Sequence, residues 1–214
     1  MRVVIAGGHG QIALHLDRML SERGDEPVGL VRNPGHAGDL EAVGAEAVVL
    51  DLEKASVDEV TATLDSADAV VFAAGGGPNS GVARKETVDK GAAILLADAA
   101  EQAGVRRYVM VSSMGTDRAD PDSDEIFQVY LRAKKAADDY LRAGRLDWTI
   151  VRPGALTDDE GTGQVQVGTL ERGRIPRADV AATLVAVLHT PDTIGKTFDL
   201  LTGTESIQAA LERL

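Results

Sequence analysis

Short runs of β-branched and aliphatic residues alternate along the chain with longer stretches of helical spacing. Residues 2–6 are a compact apolar run. Residues 11–22 then place Ile12, Ala13, Leu16, Met19 and Leu20 at the three- and four-residue intervals of one helix face. Gly24 stands where a helix takes its C-terminal glycine. The same alternation predicts a strand over 27–31, a short helix over 37–43 ending at Gly44, a strand over 47–50, and a helix over 56–64 capped by Ser56. Residues 69–73 form a fourth strand that runs into Gly75-Gly76-Gly77. A long helix over 82–103 follows, stopping at Gly104, and then a fifth strand over 108–111. A helix over 124–142 and a sixth strand over 147–151 lead to Pro153-Gly154. Residues 154–175 are polar and Gly-rich, which suggests a hairpin. The remainder divides into a helix over 177–189, a strand over 197–201 and a helix over 206–214.

Six successive β-α units imply a right-handed, doubly wound parallel sheet with helices on both faces, a Rossmann-type α/β fold. No internal repeat or linker divides the 214 residues, so one domain is expected. Residues 154–176 and 190–214 are expected to form a small substrate-side lobe. Apolar residues are 44% of the chain and aromatics only 3%, so the core must be built from Val, Ala, Leu and Ile. That composition suits parallel strands buried on both faces.

Charge and cysteine content then remove whole classes of function. The net charge of −12 argues against nucleic acid as a partner, because phosphate backbones attract basic surfaces. The absence of cysteine excludes disulfides and thiolate metal sites, and no other metal-ligand cluster stands out. No apolar run approaches the roughly 18–20 residues of a membrane span. The chain enters a strand at once, without a signal-peptide apolar stretch, which makes the cytoplasm the expected location. Monomer and homodimer both remain open.

The chemistry begins between the first strand and the first helix, at Gly7-Gly8-His9-Gly10-Gln11-Ile12-Ala13. Here Gly7 supplies a tight turn, Gly10 lets backbone approach a pyrophosphate, and the small Ala13 allows close packing of helix on strand. The helix that opens at Gln11 and Ile12 directs free N–H groups and its positive dipole end at the phosphates. Gly8 and His9 lie inside the loop and are counted with the cofactor-binding residues, His9 being read either as approaching a phosphate or as a solvent-facing loop histidine. The second strand ends at Arg32, with no acidic residue there to bind ribose hydroxyls. A guanidinium suits a 2′-phosphate through paired, charge-assisted hydrogen bonds, so NADP(H) is expected over NAD(H). Asp51-Leu52 would pass the adenine ring, and Ala73-Ala74-Gly75 would lay backbone against the ribose.

Taken in order, the glycine loop, Leu30-Val31-Arg32-Asn33-Pro34, Asp51-Leu52, Val111-Ser112-Ser113-Met114-Gly115, Tyr130-x-x-x-Lys134 and Thr149-Ile150-Val151-Arg152-Pro153-Gly154 resemble an atypical short-chain dehydrogenase/reductase, of the NAD(P)H-binding, NmrA-like or epimerase-like kind. The resemblance runs on to Ile175-Pro176-Arg177-Ala178-Asp179-Val180-Ala181. It implies a Ser–Tyr–Lys group. Tyr130 would be the general acid/base, and Lys134, one helical turn on, would lower the tyrosine pKa and bond the nicotinamide ribose. Ser113 would polarise the substrate oxygen, with Ser112 as its substitute, and the nicotinamide would lie near Pro153-Gly154. One departure is Asp89, where related dehydrogenases present an asparagine; an ionised carboxylate cannot donate a hydrogen bond. The expected function is an oxidoreductase or epimerase-like enzyme acting on a small carbonyl compound. An NADP(H)-sensing regulator without turnover and a flavin or quinone reductase stand as alternatives.

Overall fold

In the computed structural model, residues 1–77 and 80–214 are described. The first half alternates β1 (Arg2–Ala6), α1 (Gln11–Glu22), β2 (Glu26–Val31), α2 (Ala37–Glu41), β3 (Glu46–Val49), α3 (Val57–Thr63) and β4 (Ala69–Phe72). A helical rod follows in three pieces: α4 (Val82–Arg84), a π-helical stretch over Lys85–Ala92, and α5 (Ala93–Ala103). Then come β5 (Arg107–Val111), α6 (Ile126–Ala143), β6 (Asp147–Pro153), β7 (Ala155–Thr157), β8 (Gln164–Gly168), β9 (Arg174–Pro176), α7 (Arg177–Leu188), β10 (Lys196–Thr202), β11 (Glu205–Ser206) and α8 (Ile207–Leu211).

Nine strands form one sheet in the order β11-β8-β10-β6-β5-β4-β1-β2-β3. From β3 to β10 every neighbouring pair is parallel, in the 3-2-1-4-5-6 order of the dinucleotide-binding fold. Strand side chains alternate between faces, and the two cores follow that alternation. Val3 and Ile5 face one core with Ala13, Leu16 and Leu20 of α1 and Val180 and Leu184 of α7. Val4 and Ala6 face the other with Val60, Leu96, Ala100 and Leu141. The sheet is therefore buried on both sides, as its nearly unbroken aliphatic strands require.

The expected hairpin over 154–175 does not form. Instead β7 pairs in parallel with β9, while β8 runs antiparallel to both β10 and β11 and extends the main sheet. The Gly-rich composition signalled turns but not which distant strand would take up the backbone hydrogen bonds. Ser56 does cap α3, in a reciprocal capping box with Glu59.

The long helix over 82–103 is where the rod departs from a regular α-helix. Its π-helical part buries Lys85, Val88, Asp89 and Ala92, so a cation and a carboxylate enter the interior at the carboxyl end of β4. Extra turns of this kind are frequent at functional sites, because they redirect side chains that an α-helix would point elsewhere.

Candidate functional site

The carboxyl ends of β1, β2, β3 and β4 open onto a cavity of about 310 Å³. It lies beside β1, where the crossovers diverge to β2 on one side and β4 on the other, the point at which open α/β sheets bind ligands. The glycine loop forms its floor. Gly7 has φ +81°, and a Cβ there would stand 2.7 Å from the Ala74 Cα, so only glycine fits. Its carbonyl accepts from Gly10 N–H at 2.8 Å, which closes the turn. Gly10 is the N-cap of α1 and brings no side chain to the helix end, so the first-turn amides of a twelve-residue helix stay available to a phosphate. The residues present thus fit a dinucleotide pyrophosphate.

Gly7, His9, Gly10, Arg32, Asp51, Leu52, Ala73, Ala74 and Gly75 all line this cavity. Gly8, Gln11, Ile12, Ser112, Lys134, Pro153 and Gly154 do not. Gly8 packs instead on Gly29, where a Cβ would come within 2.5 Å of backbone. Pro153 accepts from Met114 N–H, and Gly154 donates to Leu200 at 3.1 Å while lying against Gly173 and Leu201. Both are stitched into the carboxyl end of β6, between β5 and β10.

On the adenosine side, Glu53 ties two elements together. It approaches Arg32 at 3.4 Å and Arg84 at 3.0 Å, and accepts from the Thr87 hydroxyl at 2.7 Å. Arg32 remains exposed, with 57% of its side-chain surface accessible, and so can turn toward an anion. His9 is not a free loop histidine. Its ring stacks on His36 at 3.6 Å between centroids, and its Nε2 lies 2.8 Å from Asp39. Glu53, Arg84 and His36 were not singled out in the sequence, where they sit far apart from the loop they serve.

The candidate catalytic residues gather at the ends of β4 and β5. Burial pushes the Tyr130 phenol up to about 12; the Ser113 hydroxyl acts against this, and the carboxylates of Asp89 and Asp138 add to it. Lys134 is buried and donates to the carbonyls of Val111 at 3.1 Å and Ala74 at 3.3 Å. Its Nζ also stands 3.5 Å from Asp89. Burial lowers its pKa, and Asp89 and Asp138 partly restore it. Much of the lysine charge is therefore answered by Asp89, and the tyrosine is held as a neutral phenol. Ser112 is buried beside Asp138, whose carboxyl is raised by burial and bonded to Arg152 at 2.9 Å. The Ser112 hydroxyl has no hydrogen-bond partner among the described residues.

The π-helical stretch fastens the Gly75-Gly76-Gly77 strap at two points. Asp89 accepts from Gly76 N–H at 3.1 Å, and Lys85 donates to the Gly77 carbonyl at 2.7 Å. The Lys85 ammonium also lies 5.4 Å from the centre of the Tyr130 ring. Among the described residues, no helix is long and apolar enough to cross a membrane, and no group of three or more His, Cys, Asp or Glu could hold a metal.

Comparison with known proteins agrees with this architecture. A family model described as NAD(P)H-binding matches residues 7–191. The chain is 38% identical to the Bacillus subtilis uncharacterized sugar epimerase YhfK, with all of both chains covered. It is 34% identical to the Saccharomyces cerevisiae UPF0659 protein YMR090W, covering all of this chain and 99% of the relative. Among solved structures, a putative NAD-dependent epimerase/dehydratase from Bacillus halodurans shares 40% identity at a TM-score of 0.92, with both chains fully covered. The Lactococcus lactis oxidoreductase ylbE shares 28% at 0.88, over all of this chain and 96% of that one. A Veillonella parvula short-chain dehydrogenase/reductase solved in complex with NADP, 17% identical over 97% of each chain at 0.76, shares the fold. The chain belongs to the NAD(P)H-binding family, within an atypical short-chain dehydrogenase/reductase-like group whose relatives are named as epimerases and oxidoreductases.

Proposed function

We propose that the chain is an NADP(H)-dependent enzyme that reduces or epimerises a small carbonyl compound. The observation that carries this reading is the cavity at the strand ends, lined by Gly7, Gly10 and Arg32, together with Tyr130 and its neighbouring Ser113 hydroxyl outside that lining. The cofactor would supply or accept the hydride. Gly7 and the α1 amides would hold its pyrophosphate, and Arg32 its 2′-phosphate. A phenol held near 12 stays protonated at neutral pH, so Tyr130 suits proton donation to a developing alkoxide, with the Ser113 hydroxyl orienting the same oxygen.

NADPH consumption in the presence of small aldehydes, ketones and keto sugars tests the reaction. The cofactor assignment has its own test. Arg32→Ala is expected to weaken NADPH binding about 10- to 100-fold, the usual range for a charge-assisted contact, while changing NADH binding less than about twofold. An unchanged NADPH-to-NADH ratio would remove Arg32 from the 2′-phosphate site.

A second reading, an NADP(H)-sensing regulator without turnover, is favoured by one feature. Lys134 is engaged by Asp89 and two carbonyls, rather than free to drive the tyrosine chemistry. NADP(H)-dependent complex formation with no hydride transfer to any acceptor would select it.

A further inference from the structure

The stacked histidines beside Arg32 play no part in the function above. His9 comes from the glycine loop, and His36 from the 3-10 turn Pro34–His36 that follows β2; the rings are 3.6 Å apart at an interplanar angle of 14°. Both line the same cavity as Arg32. The contact therefore joins the loop built for the pyrophosphate to the segment that carries the guanidinium. Three further charged groups, Asp51, Glu53 and Arg84, line the cavity, with Glu53 3.4 Å from Arg32, and Asp39 of α2 holds His9 from outside it.

The partners of the two rings fix where their protons lie. The Asn33 amide nitrogen, 3.3 Å from His36 Nε2, is only a donor, so that ring nitrogen accepts. The Asn33 side chain is oriented for this, since its carbonyl oxygen accepts from Gly35 N–H at 3.0 Å. A neutral His36 then carries its proton on Nδ1. His9 is arranged in the opposite sense. The Asp39 carboxylate only accepts, so His9 Nε2 donates at 2.8 Å. Neither Nδ1 has a hydrogen-bond partner among the described residues.

We infer that His36, held in place by its stack on His9, is a second 2′-phosphate ligand beside Arg32, donating a hydrogen bond from Nδ1. The inference rests on the NADP(H) reading and deepens it. Arg32 supplies charge from an exposed and adaptable side chain. His36 supplies a donor whose ring plane and tautomer are set before ligand arrives, by His9 on one side and Asn33 on the other. A preset donor favours selectivity, because it discriminates a phosphate from a hydroxyl without first being ordered.

Isothermal titration with NADPH, NADH and adenosine 2′,5′-bisphosphate tests this in wild type, His36→Leu and His36→Gln. The expected result is a loss of about tenfold in NADPH and bisphosphate affinity for His36→Leu, with NADH affinity unchanged. His36→Gln retains a side-chain donor and should recover most of the loss. If wild type prefers NADPH and both variants keep the same NADPH-to-NADH ratio, the inference is overturned while the NADP(H) reading stands. A parallel loss for NADPH and NADH would also overturn it, by assigning His36 to loop structure alone. If wild type shows no preference for NADPH, both readings fall together.

Discussion

At pH 8 the Asp17→Asn variant is expected to unfold about 5–10 °C above the wild type. Asp17 lies on α1, fully buried, and neither of its carboxylate oxygens has a hydrogen-bond partner among the described residues. Burial alone pushes its pKa from 3.8 to about 7. Because the folded value is raised, the folded chain binds more protons than the unfolded one between those limits, and stability falls as pH rises through that window. Three pKa units correspond to about 4 kcal/mol, fully expressed above pH 7 and absent below about pH 4. The asparagine amide keeps the shape and removes the charge, but remains unpartnered. About 2–3 kcal/mol should therefore be recovered, which gives the stated melting shift for a chain of this length. Thermal unfolding across pH 3.5–8.5 checks it: the wild-type curve should decline more steeply from pH 4 to 7 than the variant curve, which keeps only the contribution of the burial-raised Asp138 carboxyl. A variant less stable than wild type at pH 8, with the same pH profile, would show that Asp17 has a partner in solution.

The second large effect concerns Tyr130. Tyr130→Phe is expected to lower turnover by about 10²- to 10⁴-fold, the usual range for removing a positioned proton donor, with NADPH affinity unchanged. The affinity should hold because the cavity that takes the dinucleotide is lined by the strand ends and the glycine loop, not by α6. Single-turnover oxidation of bound NADPH separates the two quantities. Retained hydride transfer in the variant would point to a quinone- or flavin-type reduction that needs no phenolic proton. A related comparison is informative about Lys134. Asp89→Asn removes the carboxylate 3.5 Å from Lys134 Nζ and one of the groups holding the phenol high. The tyrosine pKa should then fall, moving the alkaline limb of the pH–rate profile to lower pH.

The parts of the fold set by local pattern were legible in the sequence. Alternating strands, terminal glycines and the capping serine depend on neighbours a few residues away, and the glycine loop is a contiguous motif. Arg32 was legible for the same reason, since it directly follows the β2 run. What required the structure depends on distant pairing. Glu53 and Arg84 meet only because β3 and α4 converge at the strand ends. His9 and His36 lie 27 positions apart, and nothing in either segment announces a stack. Lys85 and Asp89 look like the solvent side of an amphipathic helix, and the π-helical turns carry them inward. The 154–175 segment was misjudged as a hairpin because strand partners are chosen by tertiary contacts, not by turn composition. Asp17 was legible but passed over. It falls on the same stripe as Ala13 and Leu20, so helical spacing alone places a carboxylate against the core.

A preference for NADP(H) at a site built on Gly7 is tested most directly by one titration. Wild-type protein titrated with NADPH and NADH, at matched pH and salt, should bind one NADPH per chain at least about tenfold more tightly than NADH. Gly7→Ala in the same experiment should bind neither, because its new Cβ meets Ala74 at 2.7 Å and its φ of +81° is strained for alanine. NADH binding as tight as NADPH, or undiminished binding of both by Gly7→Ala, would contradict it.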